Sequence, residues 1–411
     1  MTSTLIYRSR ALEAFPPAEL ERLAARAFAS NLRLDVTGIL VFDGDYFLQV
    51  LEGPADAVTA VFDKLSRDPR HDNLVTLLHG QEARRRFGSW GMYLTQPDRS
   101  PQTGIRPWMP QYHHLHEEDR VAQIVDHFLH GQWKHRAIAQ PIAPDEWALQ
   151  AIPFPLATRG QPLPDSGYSF AFQPIVNSEK RAVSSIEALV RGPGGMSPQD
   201  LFSRFGSDTA ALYDFDLQSK VMAIAQAVAL GCRTDLSINL LPRSLTHARD
   251  SAAFLLDALA QHGLSPEQLV IEVTEEEAIT NFDEFRAATQ RLRAAGVRLA
   301  IDDFGAGHAG LSLLTEFHPD ILKIDRRLVR GISSNGPRQA IVAAIIDLCR
   351  PLGIAVVAEG IETIEEFDWL NKAGVHRFQG FLFARPAHDR FDVVHIPVKA
   401  GRRSDRLRSA P

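Results

Sequence analysis

The hydrophobic pattern of the first 95 residues predicts strands and helices in a recognisable order. Strand-like apolar runs cover residues 4–9, 36–53 and 73–87, and Asp43-Gly44, a typical hairpin turn, splits the middle run into two strands. Apolar residues recur at helical spacing over residues 16–31 and 55–68. The resulting order, β-α-β-β-α-β, predicts a ferredoxin-like α+β sandwich.

From about Tyr168 to about residue 390, strand-like runs alternate with helical stretches. The runs lie at residues 168–176, 182–191, 235–240, 269–275, 298–304, 320–325, 354–360 and 377–383. Strands that alternate with helices favour a parallel sheet, and eight such runs predict a (β/α)8 barrel of the TIM type. The chain is therefore expected to combine an α+β fold with an α/β fold.

Proline separates the two halves. Ten of the 25 prolines lie between Pro97 and Pro164, which is typical of a connector. Within it, residues 117–133 carry apolar side chains at helical spacing and predict a helix that packs on a partner or between the domains. We therefore divide the chain into a first domain (1–96), a linker with a helix (97–165), a barrel (166–395) and a flexible polar tail (396–411).

Composition narrows the class of protein. The chain has 411 residues and a formal net charge of −6, which argues against binding a nucleic acid duplex through bulk charge. Its two cysteines, Cys232 and Cys349, cannot form a disulfide scaffold. Neither a signal peptide nor an apolar run of about 18 residues is visible. We expect a cytoplasmic protein without membrane contact.

Most strand-like runs of the second half end in a charged or amide residue. These residues are Glu187, Asn239, Glu272, Asp302 with Asp303, Lys323 with Asp325, Glu359 and Gln379. A barrel gathers the carboxyl ends of its strands into one mouth, so they should converge there. Carboxylate and amide oxygens suit Mg²⁺ or Mn²⁺. A pair of such metals suits in-line displacement at a phosphate, although each acid alone is more often a loop residue or helix cap.

The second half also resembles a known family. The motifs that carry the resemblance are EALVR (187–191), NLLP (239–242), IEVTE (271–275), DDFGAG (302–307), LKID (322–325), AEGIE (358–362) and QGFLFARP (379–386). They are similar, in the same order, to those of EAL domains, which hydrolyse cyclic di-GMP to linear pGpG. The resemblance implies the same activity here, with two divalent cations, Mg²⁺ or Mn²⁺.

The EAL resemblance also implies roles for single residues. The metal ligands would be Glu187, Asn239, Glu272, Asp302, Asp303 and Glu359, with Asp302 as the bridge. Lys323 would lie beside the metal-bound water as a base or an orienting group, and metal charge would lower its pKa. Gln379 would complete the water side of the site. The substrate would be held by Gln173, Leu189 and Arg191. Glu275 would steady the loop after Asp303, or else be an ordinary acid in the first turn of a helix.

The first half carries polar residues in an otherwise apolar sheet. Tyr7 and Gln49 interrupt strand-like runs, and such residues need hydrogen-bond partners if they are buried, which a flat heteroaromatic cofactor would supply. A lone Gln in a strand is also common at an edge. The segments TLIYRSRA (4–11), TGILVFDGDYFLQVLEG (37–53), DPRH (68–71) and FGSWGM (87–92), together with Asn31, resemble BLUF domains, the flavin-binding receptors of blue light.

The BLUF resemblance implies a noncovalent FAD with its ring between the two helices. The sequence does not exclude FMN or riboflavin in place of FAD. Tyr7 would donate an electron and a proton, and Gln49 would rearrange or tautomerise on excitation. The other residues implied at the flavin are Ser9, Asn31, Arg70, His71, Trp90 and Met92. Arg70 and His71 would lie near the ribityl-phosphate side, or else form a solvated pair at a helix end.

Together the two resemblances predict a blue-light-regulated cyclic di-GMP phosphodiesterase that acts as a homodimer. One alternative is a light sensor whose barrel binds cyclic di-GMP without turnover. Another is an adaptor in which light controls contact with a partner protein and the barrel serves as a scaffold. Relatives that bind without cleaving usually lack a metal ligand or the lysine, and this sequence retains all of them.

Overall fold

The computed structural model describes residues 2–82, 85–88, 92–95, 120–129, 131, 144–152, 154, 168–247, 250–274, 282–306, 314 and 317–399. The predicted linker lies largely outside these residues, and the predicted tail lies there entirely except for residues 396–399. The chain forms two compact units. The first comprises Met1–Ile142 with Gly331–Ala343, and the second comprises Ala143–Arg330 with Ala344–Pro411.

The first unit contains the predicted ferredoxin-like fold. Its elements are β1 (Thr2–Ala11), α1 (Pro17–Arg33), β2 (Thr37–Phe42), β3 (Tyr46–Gly53), α2 (Ala55–Leu65), β4 (His71–Glu82), β5 (Tyr93–Thr95) and α3 (Arg120–Leu129). The strand order is β4-β1-β3-β2-β5. The order of the first four strands, β4-β1-β3-β2, confirms the predicted sandwich. The hydrophobic pattern did not predict the fifth strand, β5, which pairs with β2 in parallel.

Both faces of this sheet are covered because its strands are apolar on both sides. On one face, Leu20 of α1 and Val58 of α2 pack against a cluster that includes Tyr7. On the other face, Val125 and Phe128 of α3 pack on Ile6 and its neighbours. Successive residues of a strand point to opposite faces, so Ile6 and Tyr7 belong to different layers. The helix predicted in the linker thus closes the second face of the sheet.

The second unit is built around the predicted barrel. Its strands are β7 (Ser169–Asn177), β8 (Ala182–Arg191), β9 (Asp235–Asn239), β10 (Leu269–Thr274), β11 (Arg298–Phe304), β12 (Ile321–Ile324), β13 (Ala355–Ala358) and β14 (Arg377–Phe378). They follow one another around the sheet, and β14 pairs with β7 to close it. The helices of this part of the chain are α4 (Pro198–Ser203), α5 (Thr209–Ala229), α6 (Pro242–His247), α7 (Ser251–His262), α8 (Phe282–Ala294), α9 (Arg326–Val329), α10 (Gly336–Cys349) and α11 (Ile364–Ala373). Of these, α10 belongs to the first unit up to Ala343 and to the second unit from Ala344.

The barrel departs from a regular (β/α)8 pattern at its first strand. β7 runs antiparallel to both β8 and β14, whereas the other neighbouring pairs are parallel. Only a few residues separate β7 from β8, which is enough for a hairpin but too few for the helical crossover that parallel strands need. A ribbon of β6 (Trp147–Ile152) and β16 (Val394–Lys399), and the short β15 (Ala387–His388), add pairings that the sequence did not predict.

No helix within the described part of the chain is both long and apolar enough to cross a membrane.

Gly380 is required by a close approach of two backbone segments. A Cβ atom at this position would lie 2.1 Å from the carbonyl oxygen of Ile361 and 2.3 Å from its nitrogen. Ile361 follows β13 and its N–H donates to the carbonyl of Gln379 at 3.1 Å. The glycine therefore lets the chain carrying Gln379 lie directly on the loop after β13.

We expect Gly380→Ala to destabilise the barrel more than Gly353→Ala does. Gly353 also has a positive φ, of 69°, but a Cβ there would meet no atom within 4 Å. Backbone strain alone should lower the free energy of unfolding of the Gly353→Ala control by about 1 kcal/mol. The steric clash at residue 380 should lower that of Gly380→Ala by about 1–3 kcal/mol more. Thermal unfolding of the two variants tests this, and equal shifts would show that the two backbone segments are not packed as described.

Candidate functional sites

The mouth of the barrel is organised around the buried ammonium group of Lys323, which is 1% exposed. Its Nζ lies 2.6 Å from Glu272 Oε2, 2.7 Å from Glu359 Oε1, 3.1 Å from Asp302 Oδ1 and 3.3 Å from Glu187 Oε2. The four carboxylates come from four different strands or strand ends. The predicted convergence of strand-end side chains is therefore present in the structure.

Strand register explains why these side chains meet. Glu187 on β8 lies opposite Gln173 on β7 and Ser237 on β9. Glu272 on β10 lies opposite Asn239, the last residue of β9. Asn239 Nδ2 donates to Glu187 Oε1 at 2.7 Å, so the amide links two neighbouring strands.

An irregularity in β11 coincides with the two adjacent aspartates, Asp302 and Asp303. The pairing of β11 with β12 shifts register between Ile301 and Phe304. Asp303 adopts a positive φ of 54°, which is uncommon for a residue other than glycine. Bulges of this kind turn side chains to new directions and recur beside functional sites. In a regular strand the two side chains would point to opposite faces, whereas here oxygen atoms of both lie within 4.8 Å of each other and of Glu359. The amide of Asp303 donates to Asp302 Oδ1 at 2.9 Å.

The charges in this cluster do not balance, because four carboxylates face one ammonium group. Burial raises the pKa of Glu272 to about 8 and that of Glu359 well above its usual value, and the neighbouring acids add to both effects. Burial also raises the pKa of Asp302. Glu187 differs: burial raises its pKa, but Lys323 and the amides of Gln379 and Asn239 outweigh that effect and lower it.

The excess of carboxylates also raises the pKa values of Lys323 and Asp303. Burial by itself would lower the pKa of Lys323, but the surrounding carboxylates raise it well above its usual value. The protein's own groups therefore favour the ammonium form, and the lowering expected from metal charge stays a prediction for the cation-bound site. Partial burial, together with the negative charges of Asp302 and Asp325, raises the pKa of Asp303 to about 6.

The donor set fits divalent cations. Oxygen atoms of Glu187, Glu272 and Asp302 lie within 4.8 Å of one another, and so do oxygen atoms of Asp302, Asp303 and Glu359. Both triads offer only hard carboxylate ligands, which suit Mg²⁺ or Mn²⁺. Asp302 belongs to both triads, which is the position that a bridging ligand requires.

An amide chain borders the carboxylates. Gln379 Nε2 donates to Glu187 Oε2 at 2.8 Å and to Gln173 Oε1 at 3.2 Å, and Gln173 Nε2 donates to the carbonyl of Ala384 at 3.2 Å. Gln379 Oε1 is buried and has no hydrogen-bond partner among the described residues. A buried oxygen of this kind normally needs a donor, so a water or ligand would complete the site.

A small cavity of about 180 Å³ opens beside Lys323. Its lining includes Gln173 and Leu189, as the EAL resemblance implied, but not Arg191, whose Nη1 donates to the carbonyl of Val190 at 2.9 Å. The lining also includes Arg326 and Phe381, which the sequence analysis did not single out. Arg326 directly follows the LKID motif and Phe381 lies inside QGFLFARP, so their positions beside motif residues could have indicated them.

The second predicted site lies between the sheet and the two helices of the first unit. A cavity of about 610 Å³ opens there, within the range of small-ligand sites. The sequence-predicted residues Tyr7, Ser9, Asn31, Gln49, Arg70 and His71 all line it. Arg26 on α1 and Lys64 on α2 also line it and were missed. Arg26 lies four residues, about one helical turn, before Ser30, the neighbour of Asn31, so the helical spacing could have placed it near this face.

Tyr7 and Gln49 form a direct pair. They lie opposite each other on β1 and β3, and the Tyr7 hydroxyl donates to Gln49 Oε1 at 2.5 Å. Gln49 Nε2 in turn approaches Met92 Sδ at 3.6 Å. Burial raises the pKa of Tyr7, so its hydroxyl keeps the proton that it donates. The three side chains thus form a hydrogen-bonded row, of which Tyr7 and Gln49 line the cavity and Met92 does not.

Polar contacts also connect the other predicted residues. His71 Nδ1 lies 2.7 Å from Ser9 Oγ, and His71 Nε2 lies 3.0 Å from the carbonyl of Leu65. Since a carbonyl only accepts, the proton of the neutral ring is on Nε2 and Ser9 donates to Nδ1. Burial lowers the pKa of His71, which favours this neutral form. Arg70 pairs with Asp68 at 2.5 Å. Trp90 and Glu275 lie outside the described residues.

Comparison with known proteins decides the family. The model of the EAL domain matches residues 163–386, and the model described as "Sensors of blue-light using FAD" (BLUF) matches residues 2–93. The blue light- and temperature-regulated antirepressor BluF of Escherichia coli is 39% identical over 407 residues, which cover 97% of this chain and all of BluF. This chain is a member of the BLUF–EAL family.

Two further proteins that this BLUF–EAL protein resembles have cyclic di-GMP in their descriptions. A structure of Klebsiella pneumoniae BlrP1, described as a manganese and cyclic di-GMP complex, has 42% identity and a TM-score of 0.86, and covers 97% of this chain and all of BlrP1. The probable cyclic di-GMP phosphodiesterase PdeA of Escherichia coli is 32% identical over 217 residues, which cover 52% of this chain and 30% of PdeA.

We expect the affinity of this BLUF–EAL protein for Mn²⁺ to rise with pH. Because the pKa of Glu272 is about 8 and those of Asp302 and Glu359 are also raised, the cluster keeps protons at neutral pH. A cation binds the deprotonated acids, so it must displace these protons, and binding should tighten between about pH 6 and about pH 9.

Calorimetric Mn²⁺ titrations across that range measure the effect, and Glu272→Gln should flatten the pH dependence because one titrating acid is gone. An affinity that does not change with pH would contradict the protonation described for the cluster.

Proposed function

We propose that this protein is a blue-light-regulated phosphodiesterase that hydrolyses cyclic di-GMP to linear pGpG. The observation that carries the proposal is the complete set of acids around Lys323, which places two carboxylate triads at one point of the barrel mouth. A scaffold or a binding module has no need for so much buried negative charge, since buried charge is costly unless it is paired.

The acids would hold two divalent cations. Glu187, Glu272 and Asp302 would hold one, Asp302, Asp303 and Glu359 would hold the other, and Asn239 would add its amide oxygen beside Glu187. When bound, the cations would supply the positive charge that polarises a phosphodiester and an attacking water. Asn239 and Gln379 orient Glu187 by donating to its two oxygens.

Lys323 would lie beside the attacking water, as a base or as an orienting group. The surrounding carboxylates raise its pKa, and bound cations would act in the opposite direction. Gln379 Oε1, which lacks a partner among the described residues, would accept a hydrogen bond from the attacking water. Gln173, Leu189 and Arg191 stay our candidates for the substrate, although Arg191 does not line the small cavity.

The first unit would provide the light response. Its cavity has room for the ring of a flavin, and the apolar lining residues Leu23, Leu40 and Val61 suit a flat aromatic ring. Tyr7 and Gln49 would lie beside that ring, where a change of the Gln49 amide would alter its bonds with Tyr7 and Met92. FAD is the flavin that the family description names. A structure of BlrP1 is described with FMN, which keeps that flavin open for this chain.

A second candidate function rests on the full-length similarity to BluF, which is named an antirepressor. In that case light would control binding to a partner protein, with or without cyclic di-GMP in the barrel, and no turnover would occur. The predicted homodimer and the cytoplasmic location stay predictions under either function.

We expect the purified protein to convert cyclic di-GMP to pGpG with Mg²⁺ or Mn²⁺, and to do so faster under blue light than in darkness. Glu187→Gln should lower turnover by at least about 100-fold, because it removes a charge from one triad and a partner of Lys323. Asp347→Asn, at a half-exposed site on α10, is the control and should retain activity. Chromatography of the product measures both.

Intact cyclic di-GMP in both light conditions, from a protein that binds it, would overturn the enzyme proposal and favour the antirepressor-like function.

We expect Tyr7→Phe to retain the flavin and the dark activity but to lose the light response. The substitution removes the hydroxyl that donates to Gln49 and leaves the ring volume unchanged. Tyr46→Phe is the matched control, because Tyr46 is also buried but packs on the opposite face of the sheet. Absorption spectra and pGpG formation before and during illumination test this. An unchanged light response in Tyr7→Phe would exclude the proposed role of the pair.

A further inference from the structure

A buried ion pair lies on α5, away from the acids around Lys323. Asp216 and Lys220 are one helical turn apart, and Asp216 Oδ1 lies 2.6 Å from Lys220 Nζ. Asp216 is 1% exposed and Lys220 is 5% exposed. Two charges removed from water in this way carry a desolvation penalty that their attraction only partly offsets. A pair of this kind therefore calls for a further role.

The other oxygen of Asp216 holds a different part of the chain. Asp216 Oδ2 accepts a hydrogen bond from the amide of Leu241 at 3.0 Å and from Ser244 Oγ at 2.7 Å. Leu241 lies two residues after Asn239, and Ser244 lies in α6. The carboxylate thus ties the connection between β9 and α6 to α5. Hydrogen bonds to a charged acceptor are stronger than neutral ones, so this attachment is a firm one.

The segment that follows Asn239 is held at two points. The amide of Leu240 donates to the carbonyl of Glu272 at 2.9 Å, which ties it to β10. The amide of Leu241 donates to Asp216, which ties it to α5. Between these two bonds and the end of β9, the backbone of Asn239 has little freedom. Its side chain then reaches Glu187 at 2.7 Å.

We propose that Asp216, with Lys220 as its counter-ion, is a positioning residue for the metal site, acting through Asn239. The proposal rests on the proposed function only in taking Asn239 as a ligand of a divalent cation. Asp216 itself bonds to Leu241, Ser244 and Lys220, and not to the acids around Lys323. Lys220 balances its charge, which allows a full carboxylate to act as the anchor inside the protein.

The chain contains a matched pair for comparison. Asp368 and Lys372 on α11 have the same spacing and the same separation of 2.6 Å, and Asp368 is 2% exposed. Among the described contacts, the side chain of Asp368 bonds to Lys372 alone. This pair therefore shares the spacing and the separation of Asp216 and Lys220 but not the attachment to the β9–α6 connection, and the Lys372 side chain is more exposed, at 23% against 6%.

The test compares two neutral double variants of the full-length protein, Asp216→Asn with Lys220→Met and Asp368→Asn with Lys372→Met. Mn²⁺ binding is measured by electron paramagnetic resonance, and stability by thermal unfolding. We expect the Asp368 variant to keep most of its stability, because removing both charges also removes their desolvation penalty. The Asp216 variant should lose stability through its weakened bonds to Leu241 and Ser244. Only the Asp216 variant should lose Mn²⁺ affinity, by about tenfold, as is typical when a group that orients a metal ligand is removed.

Ser244→Ala is the second variant, in case the first does not fold. It removes one bond to Asp216 and leaves the ion pair intact, and it should weaken Mn²⁺ binding in the same direction but less. Wild-type Mn²⁺ affinity in the Asp216 variant, or equal losses in both double variants, would overturn the positioning role. A wild-type protein that binds Mn²⁺ but forms no pGpG would overturn the enzyme proposal alone. A wild-type protein that binds no Mn²⁺ would overturn both.

Discussion

The barrel mouth depends on one constraint, which is that four buried carboxylates face a single ammonium group. Lys323 reaches each of them within 3.3 Å but cannot neutralise all of them. The remaining negative charge can be neutralised by protons or by bound cations. The raised pKa values of Glu272, Asp302 and Glu359 reflect neutralisation by protons. The two carboxylate triads have the geometry that neutralisation by cations needs.

Much of the nearby structure stabilises this arrangement. The amides of Asn239 and Gln379 donate to Glu187, and the irregularity in β11 coincides with Asp302 and Asp303, whose carboxylates lie in the same triad. Gly380 admits the chain that carries Gln379 because any larger residue would clash with the backbone of Ile361. The proposed anchor at Asp216 extends the same principle, since a ligand that reaches a cation must have a fixed backbone.

In the first half of the chain, the buried polar groups at the flavin cavity also need partners. Tyr7 and Gln49 are polar side chains buried in an apolar sheet, and they satisfy each other across neighbouring strands. Relatives of this chain bear different names, an antirepressor for BluF and a probable phosphodiesterase for PdeA. Fold alone therefore does not decide the activity, and the side chains at the barrel mouth carry the argument for hydrolysis.

The sequence by itself determined both folds, the order of their strands and the list of polar residues at strand ends, because hydrophobic periodicity is a local property of the chain. It also indicated that these residues would converge, since a barrel brings its strand ends together. Only the tertiary structure decided the antiparallel first strand, the bulge at Asp303, and the position of Arg191 outside the small cavity. It alone revealed the attachment of Leu241 to Asp216. These features depend on contacts between groups that are distant along the chain, and local residue spacing does not predict such contacts.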